Sequence, residues 1–301
     1  MTAGPAAPII ISASRRTDIP AFYMDWFMDS IAKGSFAVKN PYNRRLFHVA
    51  ATPADVHTIV FWSKNFRPFL DKGCGEILLR RGYHLFFNFT INSRSSWLEP
   101  GIPPLESRLQ TLAGLCRRFG PQCINWRFDP VCVFRPPGQG IQDNLADFPA
   151  IAESAASMGI RRCITSFMDH YAKIEKRTAR LPGFSFHDPP LEEKVRIIRW
   201  MEEVLAPLGI DLFTCCESRV LAALGPDTGV RASACISGRL LRELFGGNVS
   251  LRRDCGQRVK QGCGCTVSKD IGSYTDQPCQ HNCLFCYANP CLQPAGEAGR
   301  A

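Results

Sequence analysis

The sequence predicts an α/β protein, a whole or partial TIM-like barrel whose mouth is closed by a cysteine-rich C-terminal segment. Three observations carry this expectation. Short apolar, β-rich runs alternate with stretches of helical periodicity, as in a parallel sheet with crossover helices. A polar cluster follows nearly every such run. Seven of the 15 cysteines (Cys255, Cys263, Cys265, Cys279, Cys283, Cys286 and Cys291) crowd into one stretch near the C-terminus.

In chain order, strands are expected at 9–12, 58–62, 84–90, 123–128, 163–167 and 211–215. Between them, Leu105, Leu109, Leu112, Cys116 and Phe119 share one helical stripe. Leu145, Phe148, Ile151 and Ala155 share a second, and Leu191, Val195, Ile198, Met201 and Leu205 a third. Stripes of this kind pack on a sheet and read as core. A short helix is expected around Leu240, Leu241, Leu244 and Phe245, after which apolar periodicity is lost. Residues 1–247 therefore read as the barrel. Residues 248–301 read as a loop-rich, metal-held segment packed on it.

The residues after the strands are unlike ordinary loops. They are Ser14, Arg15, Arg16 and Asp18 after the first, Lys64 after the second, Asn92 after the third, Arg127 and Asp129 at the fourth, Asp169 after the fifth, and Cys216 with Glu217 after the sixth. In α/β folds these positions share one face and build the ligand site. Arg15, Arg16, Asp18, Lys64, Arg127 and Asp129 are the catalytic or substrate-binding candidates. The competing reading is an internal network that pairs the cations with Asp18, Asp129, Asp169 and Glu217.

With 36 basic and 27 acidic residues the chain carries a net charge of +9, a bias toward anionic partners. No apolar run approaches the length that spans a bilayer, and the short apolar stretch at the start has no basic region before it. A cytoplasmic location without membrane association is expected, where thiols stay reduced and clustered cysteines serve metals or redox chemistry.

The most informative stretch runs Cys279-Gln280-His281-Asn282-Cys283-Leu284-Phe285-Cys286-Tyr287. Three thiolates on one loop suit a four-iron cluster that keeps one iron without a protein ligand. This array, with Phe285 before and Tyr287 after the last cysteine, resembles the cluster motif of radical S-adenosylmethionine (SAM) enzymes. The wider pattern is Ser12-Ala13-Ser14-Arg15-Arg16-Thr17-Asp18-Ile19-Pro20 at one end, then Cys263-Gly264-Cys265 and Ser268-Lys269-Asp270-Ile271-Gly272-Ser273-Tyr274 before the array. It is similar, over nearly the whole chain, to the functionally uncharacterised DUF1848 family.

The resemblance implies a radical-SAM-like barrel, a [4Fe-4S] cluster on Cys279, Cys283 and Cys286, and SAM cleaved to a 5′-deoxyadenosyl radical. It also implies an external flavodoxin- or ferredoxin-like electron donor. Ser14, Glu217, Phe285 and Tyr287 are the candidates for contact with the cofactor, and the substrate would be anionic or nucleotide-like. Two features depart from ordinary radical SAM enzymes: the motif lies at the end of the chain, and no Gly-Gly-Glu segment is present.

Cys263, Cys265, Cys216 and Cys235 are candidate ligands of a second iron–sulfur cluster, with Cys255 as competitor. Zinc held by the array with His281 as fourth ligand is the rival metal. A non-catalytic iron–sulfur or zinc redox or sensor module is the rival function. A hydrolase built on Asp18, Asp129 and Glu217 lacks any recognisable spacing, and nucleic acid as substrate rests only on the basic charge and a likeness of the array to spore photoproduct lyase.

Overall fold

A computed structural model describes residues 7–288. Cys291 and the other residues at 1–6 and 289–301 lie outside the described residues. Among the described residues there are thirteen strands: β1 (Ile9–Ala13), β2 (Ser35–Lys39), β3 (Leu46–Ala50), β4 (Val56–Ser63), β5 (His84–Thr90), β6 (Ile124–Val131), β7 (Val133–Arg135), β8 (Gln142–Asp143), β9 (Arg162–Phe167), β10 (Ser185–His187), β11 (Asp211–Thr214), β12 (Arg231–Ala232) and β13 (Lys269–Asp270). Eight of them form one parallel sheet in the order β12-β11-β9-β6-β5-β4-β1-β13.

All six expected strands are in this sheet, as β1, β4, β5, β6, β9 and β11. The two edges, β12 and β13, are two-residue strands too short to leave a periodic signature. No ladder joins β12 to β13 among the described residues, so the pairing is that of a large parallel sheet, and ring closure is not part of it. The antiparallel pair β2–β3 and the three-stranded β10-β7-β8 sheet lie outside it. The helices Leu105–Phe119, Phe148–Ser157, Leu191–Leu205 and Gly238–Phe245 occupy the stretches whose apolar spacing marks them.

Alternation along the strands separates two apolar layers, because successive side chains point to opposite faces. Ile11, Ile59, Phe61, Phe87 and Trp126 belong to the larger core, which holds the stripes of the first three of these helices. There Phe69 meets Phe61, Phe87 and Phe119 edge-on, with ring centroids 5.0, 5.6 and 6.0 Å apart. The intervening residues Ile10, Val60, Phe86, Ile164 and Phe213 pack instead with Leu241, Val249, Cys215, Cys235, Cys263 and Cys265.

The C-terminal segment is therefore not a loop held by metal alone. Part of it covers one face of the sheet, Lys269 and Asp270 extend the sheet beside β1, and Leu284 and Phe285 are buried with Leu98, Cys132, Phe134, Met168, Ile174 and Phe184. Its apolar residues are too widely spaced to show a period, yet Val249, Ile271, Leu284 and Phe285 are buried against apolar residues of the preceding chain.

Candidate functional site

Asp18 gathers the strand ends. Its Oδ1 accepts from the Ala21 amide at 3.0 Å, which caps the short helix Ile19–Phe22. Its Oδ2 accepts from the Ser63 hydroxyl at 2.9 Å and the Lys64 amide at 2.9 Å, at and just after the end of β4, and lies 2.8 Å from His281 Nε2. A single carboxylate thus joins the ends of β1 and β4 to the cysteine loop. Asp18 is a positioning residue in this structure.

The loop itself is pinned from several sides. Leu284 N–H donates to Leu98 O at 2.9 Å, and Gly101 N–H donates to His281 O at 3.1 Å. Arg177 donates to Leu284 O and, at 2.9 Å, to Cys286 O. Tyr23 and Tyr287 donate to Pro278 O and Arg15 O at 2.5 and 2.7 Å. Gly101 is required by close approach, since a Cβ there would stand 2.7 Å from His281 O and 3.0 Å from Gln280 O.

His281 is buried with Nε2 on Asp18 and Nδ1 3.3 Å from Gly101 O. Both ring nitrogens face oxygen, so His281 is not placed as the fourth ligand of a zinc site. Cys279, Cys283 and Cys286 lie close enough to influence one another. Burial and then Asp18 push the Cys279 thiol up to about 12, and burial also raises Cys283 well above the ordinary thiol range against the pull of Lys64. Loading a metal there requires thiol deprotonation. Among the described residues, no three His, Cys, Asp or Glu side chains already surround a single point as a finished coordination shell.

The candidate cations are brought to this end of the sheet, but each has a carboxylate. Arg15 donates its backbone N–H to Asp270 Oδ1 at 2.9 Å, and Arg16 Nε lies 3.1 Å from Asp270 Oδ2. Lys64 Nζ lies 2.6 Å from Glu99 Oε1 and Arg127 pairs with Asp129. Asp129 also accepts from Ser166, while Asp169 pairs with Arg258.

The internal network is real, and two of its acids, Asp270 and Glu99, differ from those expected. Glu99 is the residue the sequence reading missed, and its signal was its place in the loop after β5. Asp270 meets Arg15 and Arg16 because the parallel pairing of β13 sets it beside Ser12.

Glu217 accepts from the Phe167 amide at 2.9 Å, and burial raises its carboxyl to about 7. Asp18, Asp129 and Glu217 are each held by separate partners and do not form a carboxylate group of the hydrolase kind. Ser14 accepts from the Arg16 amide at 2.9 Å and Phe285 lies under Lys64, with Nζ 5.2 Å from the ring centroid. Tyr287 packs edge-on to Tyr274 and Tyr171.

A second thiol group lies on the cysteine-bearing face of the sheet. Cys215 Sγ is 3.7 Å from Cys216 Sγ and 3.7 Å from Cys235 Sγ. Side-chain contacts continue from Cys235 to Cys265, Cys265 to Cys263 and Cys263 to Cys216. The four expected cysteines do converge. Cys215 completes them; it was hidden because its position at the end of β11 reads as ordinary strand.

Cys255 is exposed, its Sγ 3.8 Å from Arg253 O, and no contact joins it to this group. A cavity of about 470 Å³ opens beside Cys216 and Glu217, with Lys194, Arg219 and Lys260 in its wall.

No helix among the described residues is long and apolar enough to cross a membrane. No curated protein matches the chain. The family described as a domain of unknown function, DUF1848, matches residues 10–288, a span that takes in β1, both thiol groups and every strand-end residue discussed above. On that match the chain belongs to the DUF1848 family.

Proposed function

We propose that this protein is an iron–sulfur enzyme of the radical SAM type, with Cys279, Cys283 and Cys286 as the ligands of a [4Fe-4S] cluster. The single observation that carries the reading is the donor set: three neighbouring thiols on a loop pinned to the strand ends, with both nitrogens of its histidine engaged by Asp18 and Gly101. A closed zinc site would need a fourth donor that His281 does not supply. When bound, the cluster would supply an open iron for SAM and the electron that cleaves its sulfonium.

The chain's own residues would do the rest. Asp18 and Gly101 hold the loop, and Phe285 and Tyr287 shape the wall around the array. Ser14 and Glu217 remain candidates for cofactor contact. Arg15, Arg16, Lys64 and Arg127 would receive an anionic or nucleotide-like substrate, with Asp129 beside Arg127 as a further catalytic candidate. To do so, that substrate must compete with Asp270, Glu99 and Asp129 for the cations. A flavodoxin- or ferredoxin-like donor in the reducing cytoplasm would supply electrons.

Anaerobic reconstitution with iron and sulfide tests the reading. A brown protein that converts SAM to 5′-deoxyadenosine under reduction supports it. Replacing Cys283 with alanine should abolish that cleavage and remove about four irons per chain. A colourless protein carrying only zinc overturns it.

The paired cations favour one second reading, a non-catalytic iron–sulfur or zinc module that carries or senses electrons. A carrier needs no free polar rim, and the ion pairs fill the rim here. Reversible one-electron reduction without SAM cleavage would select it.

A further inference from the structure

We propose that Cys215, Cys235, Cys263 and Cys265 form a second metal centre, independent of the loop array, for a thiolate-preferring ion, with Cys216 as a fifth sulfur facing the adjoining cavity. It does not depend on the radical SAM reading.

Three features carry it. The sulfurs come from three separated stretches of chain, 215–216, 235 and 263–265, yet meet in one ring on one face of the sheet. The two printed separations are each 3.7 Å. Metal–sulfur bonds of about 2.3 Å in tetrahedral array place their sulfurs about 3.8 Å apart, so the Cys215–Cys235 separation is one that two ligands of a single ion can keep. Among the described residues the thiols do not yet surround one point as a finished shell, so loading an ion would have to draw them together.

The surroundings suit an anionic centre. Four thiolates around a divalent ion carry net negative charge, which would be costly to bury without compensation. Arg15 and Arg127 flank Trp62 from 5.4 and 4.8 Å, and the thiols that act on them are Cys265 and Cys235 for Arg15 and Cys235, Cys215 and Cys265 for Arg127. Arg15 Nη2 and Arg127 Nε are buried with no hydrogen-bond partner, although Asp270 and Asp129 are close by. Arg15 and Arg16 also share the single carboxylate of Asp270, which leaves one guanidinium charge over beside the sulfurs. Metal-bound thiolates accept N–H donors of this kind.

The four proposed ligands are buried, whereas Cys216 is partly exposed and lines the cavity with Glu217. The fifth sulfur is therefore the dispensable one, and the cavity gives the centre an approach from solvent.

The test uses the full chain with Cys279, Cys283 and Cys286 all replaced by alanine, so that failure of the loop array and failure of this site are distinguishable. Samples loaded with zinc alone, iron alone, or iron with sulfide are analysed for metal and sulfide. The expected result is about one or more metal equivalents per chain. That content should fall at least about tenfold in added C215S or C235S variants and stay unchanged with C255S, whose sulfur is exposed and apart from the group. The arm that loads identifies the ion.

Cobalt(II) titration of the unaltered chain is the second measurement, and serves where a variant fails to fold. The intense visible bands of tetrahedral thiolate coordination should develop and persist in the triple-alanine protein. A triple-alanine protein that is folded by circular dichroism yet binds none of these metals overturns the proposal, as does full metal content in C215S and C235S.

Discussion

Single side chains in this protein do more joining than their types suggest. Asp18, a catalytic candidate by its place after a strand, ties two strand ends to the cysteine loop with one carboxylate. Replacing it with asparagine leaves one oxygen and turns an amide toward groups that donate. The expected loss is about 1–3 kcal/mol of unfolding free energy, measured by urea titration. Gly101 gives a sharper outcome. An alanine there strikes the carbonyls of His281 and Gln280, so the G101A chain should keep its far-ultraviolet spectrum, lose about 1–3 kcal/mol and bind less iron at the loop. Asp18 was legible as important because it follows a strand. Its role was not, since its partners Ser63, Lys64 and His281 lie as far as 263 residues away.

At the scale of elements, the loop after β5 is clamped to the helix Phe148–Ser157 through Asp147. This carboxylate accepts from the Arg94 amide at 2.8 Å and from its guanidinium at 2.9 Å, and its own N–H donates to Ser93. The hydrogen bonds from Arg94 hold its carboxyl below the usual range. Its contribution to stability is therefore complete above the ordinary aspartate pKa and is lost as pH falls through the depressed folded value. A D147N chain should show a shallower fall in stability on the acid side than the unaltered chain, and little difference in that slope near neutrality, followed by denaturant midpoint against pH.

The helices and the six long strands were readable because each repeats a burial pattern over several residues. The strands β12 and β13 and the β2–β3 pair were not. Two-residue strands have no period, and β3 is exposed along most of its length, so no apolar alternation marks it.

Across the whole molecule, the sheet divides the interior into a phenylalanine-rich layer under the helices and a sulfur-rich layer under the C-terminal segment. Stability should rest mainly on the first. Phe87 is fully buried among Phe61, Phe66, Phe69 and Phe119, and F87A is expected to cost about 3–5 kcal/mol, measured by chemical denaturation. The sequence by itself determined the α/β class, the six principal strands, their crossover helices and the crowding of cysteines near the C-terminus. These follow from local periodicity and residue type, which need no knowledge of distant neighbours. Only the tertiary structure decided that the cations are paired with Asp270, Glu99 and Asp129, that His281 serves Asp18, and that Cys215 joins the second thiol group. The physical reason is the same in each case: hydrogen bonds, charge pairing and sulfur contacts act over a few ångströms of space, while the residues they join lie up to hundreds of positions apart in the chain.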